Sequence, residues 1–593
     1  MERSQRMDLV RWGGWFFLAI GLLLGVIGLR YLSDYPWPSD TIARIYTVIA
    51  FVSHFTSLAV VAWALVVLPV TLLVPSRPLV LGSSVCLGAA ILAAGLVDSL
   101  VFAEDRFHVS ALALAILGWS TWSFAALYFA IFLALCALFA RSSWPRFARS
   151  SGRALAASLT GFVLVPFLAT QALHIWADAS FYTPISSFTP YLPLFRPWTA
   201  RDELVALGLV DAGRAPDRSL LERLGADRRG LLRYPLAELA CVPSAVPLPN
   251  ILIIGLDAMR PDVVEPRIAP NIDRFAQRAI RFESHWSGGN GTRVGLFSLF
   301  YALPPTYWKA FYSEQRSPVL IDELQAAGYQ LGIFPGNPPD KIVGLDRTAF
   351  RNVPDLVATP GDAEIAKAWI GWLGRRQPER PFFGFLFFES APGGCHPEYT
   401  QLGAVRAGAS RMEERRACYD TAIHYADAQA GKVLDDLEQR GLQDDTIVII
   451  TSDHGQEFDE NGLGFHGHGS SYSGYQLHTP FVVRWPGREP AVVTRRTSHN
   501  DVAPTLLTEV LGCANPPSDY SSGGDLFTGP EWDWLVAASY TGFAVVEPRQ
   551  VTISSGVYFE TREALHYRLV PDASLDRDVL LRAIRETSRF LSD

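Results

Sequence analysis

Two carboxylates, a hydroxyl and an imidazole, far apart in the chain, have the types and settings for metal-assisted chemistry on an anionic ester: Asp257, Thr292, Asp453 and His454. Asp257 ends the apolar run Asn250-Ile-Leu-Ile-Ile-Gly-Leu, and Asp453-His454 follows a second run, Thr446-Ile-Val-Ile-Ile-Thr451. Unbroken apolar runs of this kind read as parallel strands covered on both faces. In open α/β sheets the ligand lies outside the carboxyl ends of the strands, where both acids fall. Thr292 follows the turn Ser287-Gly-Gly-Asn-Gly and opens an expected helix at 292–301. A helix N-terminus favours anions such as phosphate. The four groups form an N/O ligand set for one divalent cation, Mg²⁺, Mn²⁺ or Zn²⁺. A cation beside Thr292 would lower its pKa and make it a nucleophile toward a phosphoryl or sulfuryl group.

More imidazoles follow. Gly464-Phe-His466-Gly-His468-Gly reads as a loop that brings His468 over the site as a catalytic acid or base. Asn290, Arg293 and His499 are the candidates for holding a phosphate-like group, although Arg293 could instead point to solvent. His466 and His478 suit the surface or a supporting position as well as the site. Asp420 and His424, four residues apart on an expected helix, fit either a metal pair or an outer helix face.

The elements that must position these residues alternate. Strands are expected at 329–334, 381–388, 445–451 and 481–485, and helices at 271–281, 362–373, 413–440 and 502–511. That alternation implies an α/β domain over 250–530, with a mostly parallel sheet and helices on both faces. Residues 531–593 read as a small C-terminal α+β subdomain, with strands at 536–543, 550–554 and 557–559 and a helix at 576–590. It would close the sheet edge with an antiparallel sheet and carries no evident chemistry.

Residues 1–176 are of another kind. The chain has 593 residues, 49% of them hydrophobic, and the excess lies before about residue 180. Five runs, at 12–32, 45–74, 79–102, 121–140 and 154–176, reach the ~20 apolar residues that a bilayer requires. The segment 107–119 is short and should lie at the interface. Arg3, Arg6 and Arg11 precede the first run, Arg77 separates the second from the third, and Arg141, Arg146, Arg149 and Arg153 separate the fourth from the fifth. The alternate loops carry Asp34, Asp40, Glu104 and Asp105. By the positive-inside rule the N-terminus is cytoplasmic, and five spans place the remainder on the far side, the periplasm of a Gram-negative cell.

Within or near the spans, His54, Asp98 and His174 are functional candidates by default, or are bonded within the bundle. Residues 177–249 form a proline-rich juxtamembrane linker whose Arg196 and Arg201 would meet lipid phosphates or solvent. The net charge of −8 excludes a general nucleic-acid binder. The six cysteines follow no metal-binding spacing; a disulfide such as Cys395–Cys418 and free buried thiols are both open.

The strand ending in Asp257, the turn with Thr292, Thr451-Ser-Asp453-His454-Gly and Gly467-His468-Gly469 resemble the alkaline phosphatase/sulfatase superfamily in kind and order. Within it the chain resembles the YejM/PbgA family of inner-membrane proteins over nearly its whole length. Five spans, His174-Ile-Trp-Ala-Asp-Ala-Ser-Phe-Tyr182, Leu192-Pro-Leu, Thr199-Ala-Arg201 and Ser498-His499-Asn-Asp-Val-Ala-Pro-Thr505 carry that resemblance. It implies a periplasm-facing protein that controls lipopolysaccharide synthesis by sensing lipid A, with cardiolipin as another lipid and an inner-membrane protein as partner. It also implies a metal-dependent phosphatase site in which Asp257, Thr292, Asp453 and His454 are the metal and nucleophile set, and it assigns Arg201 to the lipid A-facing linker. A Cys/Ser-x-Pro-x-Arg motif is missing, since Thr292 is followed by Arg293-Val294, so sulfate ester hydrolysis is not expected. The family's basic linker pair reads Arg201-Asp202 here.

Overall fold

The computed structural model describes residues 2–591 apart from 34, 36, 39, 106–107, 110–118, 180–184, 186–187, 201–202, 205–206, 208–231, 244–246, 337–343, 354–355, 357, 394–401, 403–407, 541, 555–558 and 571–576. Two compact units result, Met1–Ala215 and Pro216–Asp593. Arg201, Cys395 and nearly all of the expected interfacial segment 107–119 lie outside the described residues.

In the first unit the apolar runs become five helices long and apolar enough to cross a membrane: Gln5–Leu32, Thr41–Leu73, Arg77–Ala103, Ser123–Phe147 and Gly152–Ala177. The second and fifth each contain a π turn, at Trp63–Val67 and Thr160–Leu164. Both turns precede a proline, Pro69 or Pro166, that cannot donate to the carbonyl four residues back. For Pro166 that carbonyl is Phe162, and the Thr56 hydroxyl of the second span lies 3.1 Å from it. The freed acceptor is thus met from a neighbouring helix, as an apolar surrounding demands.

The intramembrane candidates are bonded within this unit. Asp98 accepts from the Tyr31 hydroxyl at 2.6 Å, from His108 Nδ1 at 2.7 Å and from the Val109 amide at 2.6 Å. His54 Nε2 donates to the Pro193 carbonyl at 2.8 Å, and His174 Nε2 lies 3.4 Å from Thr189 Oγ1. The Trp198 amide donates to Gln171 Oε1 at 2.7 Å. His54, Gln171 and His174 therefore tie the chain that follows the fifth span back onto the spans.

The second unit is built on seven strands: β1 (Asn250–Leu256), β2 (Ile280–Trp286), β3 (Gln330–Pro335), β4 (Phe382–Phe388), β5 (Thr446–Thr451), β6 (His478–Arg484) and β7 (Ala491–Ser498). Their order is β3-β4-β1-β5-β6-β2-β7, and β6 alone runs against the others. Alternate residues of β1 enter two separate cores. Ile251 and Ile253 pack with Leu296 and Phe300 of α2 (Thr292–Tyr301) and Leu506 of α5 (Val502–Glu509). Leu252, Ile254 and Leu256 pack with Ile272 of α1 (Pro270–Ala276), Trp369 of α3 (Asp362–Leu373) and Ile423 of α4 (Arg411–Gln439). Helices on both faces explain why β1 and β5 are apolar without alternation; each buried Ile or Leu contributes roughly 1.5–3 kcal/mol.

Two expectations need correction. The helix expected at 271–281 ends at Ala276, and the chain turns into β2 at Ile280. The run 536–543 is not one strand but two, β8 (Leu535–Ala538) and β9 (Phe543–Val546), which with β10 (Gln550–Ser554) and β11 (Phe559–Glu563) form a four-stranded antiparallel sheet. Just ahead of that sheet the chain lies along the β7 edge, where Glu531 accepts from the Arg496 amide at 3.2 Å and the Trp532 indole donates to the Thr497 carbonyl at 3.2 Å, and β8 bridges to Gly289, in the glycine turn before Thr292.

Candidate functional site

Strands β1 and β5 are adjacent and parallel, with Gly255 opposite Thr451. Whatever leaves their carboxyl ends must emerge together, and Asp257 and Asp453-His454 do. Asp257 is followed by Ala258 in the left-handed region, at φ 58°, a conformation costing an L-residue roughly 1–3 kcal/mol unless its surroundings hold it. Here they do: the Ala258 amide donates to Asp453 Oδ1 at 3.1 Å, the Met259 amide to Ser452 Oγ at 2.8 Å, and the Tyr419 hydroxyl to the Ala258 carbonyl at 2.9 Å.

Thr292 arrives from the other side. The Ser287 amide donates to the Leu477 carbonyl at 2.8 Å and the Gly288 amide to Ser298 Oγ at 3.2 Å. The turn is then gripped by the C-terminal sheet, since Ala538 N donates to Gly288 O at 2.9 Å and Asn290 N to Ala538 O at 3.2 Å. This brings Thr292 Oγ1 within 3.5 Å of His454 Nε2.

The donor set fits a cation. Ligand atoms of Asp257, Asp453 and His454 lie within 4.8 Å of one another. His454 Nε2 is 3.5 Å from Asp257 Oδ1 and 3.3 Å from Asp453 Oδ2. His454 Nδ1 is 2.8 Å from the Gly455 carbonyl. A carbonyl only accepts, so Nδ1 carries the proton and Nε2 presents a lone pair. Burial holds the ring uncharged, its pKa pushed down to about 4. Asp257 Oδ1 and Asp453 Oδ2 are both buried without a hydrogen-bond partner. Burial first, then Asp453, Glu389 and Asp362, push the Asp257 carboxyl well up. Two unpartnered carboxylate oxygens and an imidazole lone pair facing one point suit a divalent cation, which would offset the charge that burial disfavours.

The other sequence-predicted residues are placed as follows. The His468 ring lies 4.5 Å from that of His454, with Nδ1 3.0 Å from Gln456 Oε1, and burial pushes its pKa down to about 3. Burial thus favours its neutral form, which carries one N–H and one lone pair. Asn290 is buried, with Nδ2 donating to the Ser471 carbonyl at 2.6 Å and Oδ1 without a partner. Arg293 stacks on Trp308, its guanidinium carbon 4.1 Å from the ring centre. His499 is not free for a substrate: Nε2 donates to the Ser452 carbonyl at 2.9 Å and Nδ1 lies 3.0 Å from His285 Nε2. It supports the strand end carrying Asp453. His478 Nε2 lies 3.0 Å from the Glu283 carbonyl, and buried His466 has its Nδ1 3.4 Å from Arg415. Asp420 pairs with Arg416 at 2.7 Å, and His424 Nδ1 bonds the Ile268 carbonyl at 2.9 Å, so this pair serves helix packing. Arg196 is exposed in the membrane unit.

Sequence reasoning passed over three groups. His285 carried no signal beyond lying just ahead of the glycine turn. Tyr540 hydrogen-bonds Thr292, and burial pushes its hydroxyl up to about 12; the turn residue Gly542 inside the run 536–543 was its one trace. Glu457, fully buried, accepts from Ser471 Oγ at 2.6 Å, Ser473 Oγ at 2.9 Å and Gln476 Nε2 at 2.9 Å, and so organises the loop that carries His468.

Burial pushes Glu457 up to about 7 against these hydrogen bonds. Its folded pKa exceeds its unfolded one, so its contribution is full below about pH 4.5 and falls as pH rises to about 7, by about 3 kcal/mol. Thermal melts of Glu457→Gln should lose less stability than wild type between pH 5 and 8, by about 5–10 °C at roughly 2–4 °C per kcal/mol. Parallel melting curves would show that Glu457 does not titrate in this window.

A disulfide joins Cys241 to Cys513, 272 residues apart; the Cys395–Cys418 pairing involves a residue outside the described set.

Two family models match the chain: a domain of unknown function (DUF3413) over residues 1–241 and Sulfatase over residues 249–512. The inner membrane protein YejM of Salmonella typhimurium (strain LT2) is 31% identical, over 100% of this chain and 99% of its own. An uncharacterised protein of Haemophilus influenzae is 28% identical over 91% of this chain and 88% of its own. Among solved structures, a Vibrio parahaemolyticus protein of the alkaline phosphatase superfamily aligns at a TM-score of 0.46 and 18% identity, covering 64% of this chain and 98% of that one.

Proposed function

The chain belongs to the family of the inner membrane protein YejM, and on that premise we propose that it is a periplasm-facing inner-membrane protein that regulates lipopolysaccharide and envelope-lipid homeostasis by sensing lipid. One divalent cation, Mg²⁺, Mn²⁺ or Zn²⁺, sits in its sulfatase-like domain. The observation that carries this reading is the reach of the likeness, which takes in the membrane unit and the linker as well as the α/β domain. The arginine bias of alternate loops supports a cytoplasmic N-terminus, and the Cys241–Cys513 disulfide suits an oxidising compartment for the second unit. Arg196 and Arg201 are the proposed lipid contacts, lipid A and cardiolipin the proposed lipids, and an inner-membrane protein the proposed partner.

In cells deprived of the chromosomal copy, the Asp453→Ala chain is expected to restore lipopolysaccharide levels. An Arg196→Glu/Arg201→Glu chain, expressed to the same level, is expected to fail. Loss of function in Asp453→Ala would falsify the regulatory reading.

A second reading is favoured by Thr292 Oγ1 lying 3.5 Å from His454 Nε2. It is a metal-dependent phosphatase or phosphotransferase acting on envelope lipid headgroups. A bound cation would supply the charge that acidifies the Thr292 hydroxyl and offsets a phosphoryl oxygen. Asp257, Asp453 and His454 would hold it, the start of α2 would orient the phosphoryl group, and Arg293 would face its remaining charge. Thr292-Arg293-Val294 in place of Cys/Ser-x-Pro-x-Arg argues against sulfate esters.

A further inference from the structure

The C-terminal sheet reaches the site through Tyr540. Between β8 and β9 the chain reverses tightly, with the Ser539 amide donating to the Gly542 carbonyl at 2.8 Å and the Gly542 amide to Ser539 Oγ at 3.2 Å. Tyr540 projects from this reversal onto the glycine turn. A β-carbon at Gly291 would lie 2.9 Å from Tyr540 Cζ and 3.0 Å from its hydroxyl oxygen. Gly291 is thus the floor on which the phenol rests. One at Gly469 would lie 3.7 Å from Tyr540 Cδ2, so the His468 loop forms a further wall. The hydroxyl bonds Thr292, and the Arg293 guanidinium carbon is 5.9 Å from the ring centre. Because Ala538, two residues earlier, exchanges two backbone hydrogen bonds with the same turn, the phenol and Thr292 are fixed to one another.

We propose that Tyr540 is a catalytic residue of the phosphatase reading above, on which this inference rests: its hydroxyl donates a hydrogen bond to Thr292 Oγ1 as that oxygen becomes anionic, and then to a non-bridging oxygen of the phosphoryl group. A phenol titrates near 10, so at neutral pH it is a donor and carries no charge of its own into the site. In the step it assists, the Thr292 Oγ1–H proton passes to solvent water and the Oγ1–P bond forms. The bond from phosphorus to the leaving oxygen breaks, its electron pair staying with that oxygen. Tyr540 keeps its proton throughout. Such a pre-aimed donor acts where charge develops, and the sheet that carries it needs no rearrangement.

The test uses the full chain in detergent, loaded with Mn²⁺, as wild type, Tyr540→Phe and Tyr540→Ala. It follows p-nitrophenyl phosphate turnover, metal content and calorimetric binding of inorganic phosphate. Tyr540→Phe keeps the ring and removes only the oxygen. It is expected to hold its metal, lower kcat about 100-fold with KM little changed, and weaken phosphate binding about tenfold. A kcat within about twofold of wild type in Tyr540→Phe, with loss only in Tyr540→Ala, would make the ring a packing element and overturn the proposal. Loss of metal from Tyr540→Phe would overturn it too, by showing a structural role. Wild type that binds Mn²⁺ and turns nothing over overturns the phosphatase reading and this inference together; the preceding outcomes leave that reading standing.

Discussion

Thr292→Ala protein is expected to keep its cation and lose its turnover. The substitution removes one hydroxyl and one methyl from the first residue of α2, whose place is set by backbone bonds of the glycine turn to Leu477, Ser298 and Ala538. Asp257 Oδ1, Asp453 Oδ2 and His454 Nε2 are held independently, by the Ala258 loop and by the Gly455 carbonyl. Metal affinity should therefore fall by no more than about tenfold, the loss of one neutral ligand among four. The nucleophile, however, has no substitute: removing such a group costs kcat at least about 10³-fold. Metal content and aryl phosphate hydrolysis of the full chain, wild type beside Thr292→Ala and Thr292→Ser, separate the two effects. Serine should restore part of the rate. Equal turnover in the alanine protein would mean that Thr292 forms no bond to phosphorus, and the threonine-nucleophile reading would fail.

What could be read in the sequence was whatever is local. Runs such as Ile251–Leu256 and Ile447–Ile450 carry no polar side chain because both of their faces are covered, and each announces a central strand with an acid just beyond it. Placing Asp257 beside Asp453-His454 then needed only the rule that ligands gather where parallel strands end. Strands at the far side of the sheet were harder. In β2 the residues alternate, Ile280 and Phe282 inward and Arg281 and Glu283 outward, and the helix expected at 271–281 ran into its first two residues. β7 is an edge strand with Arg495 and Arg496 on it, so it lacks an apolar run to reveal it.

Residues brought in by tertiary contact were not legible. Tyr540 belongs to another sheet, and nothing near it in the chain hints at Thr292. The Cys241–Cys513 bond closes 272 residues, and pairing at that range is decided by the fold. His499 shows the converse case: its motif neighbours the site, but its two nitrogens are spent on Ser452 and His285. Proximity in a motif marks a neighbourhood; the hydrogen bonds assign the role.

Gly295 is where fold and chemistry are most tightly joined, and Gly295→Ala is expected to damage both. A glycine inside a helix ordinarily costs roughly 0.5–1 kcal/mol against alanine, so the substitution should help. At Gly371, in α3, a β-carbon would meet only the guanidinium of Arg375, at 3.3 Å. Gly371→Ala should accordingly stabilise the protein, by about 0.5–1 kcal/mol. At Gly295 a β-carbon would lie 2.1 Å from the Asp453 carbonyl oxygen and 2.7 Å from its carbonyl carbon. Backbone cannot swing aside as a flexible side chain can, so α2 must retreat from the end of β5. Overpacking of this kind costs about 1–3 kcal/mol or more. Thr292, one turn earlier on the same helix, retreats with it and opens the 3.5 Å separation from His454 Nε2. Melting temperature should fall, and metal affinity should drop about 10- to 100-fold, because misplaced ligand geometry weakens a site as loss of a supporting residue does. Melting and Mn²⁺ titration of the two alanine variants, side by side on the full chain, give the answer. A Gly295→Ala protein as stable and as metal-avid as wild type would mean that α2 does not rest against Asp453, and the placement of Thr292 at the cation site would fail with it.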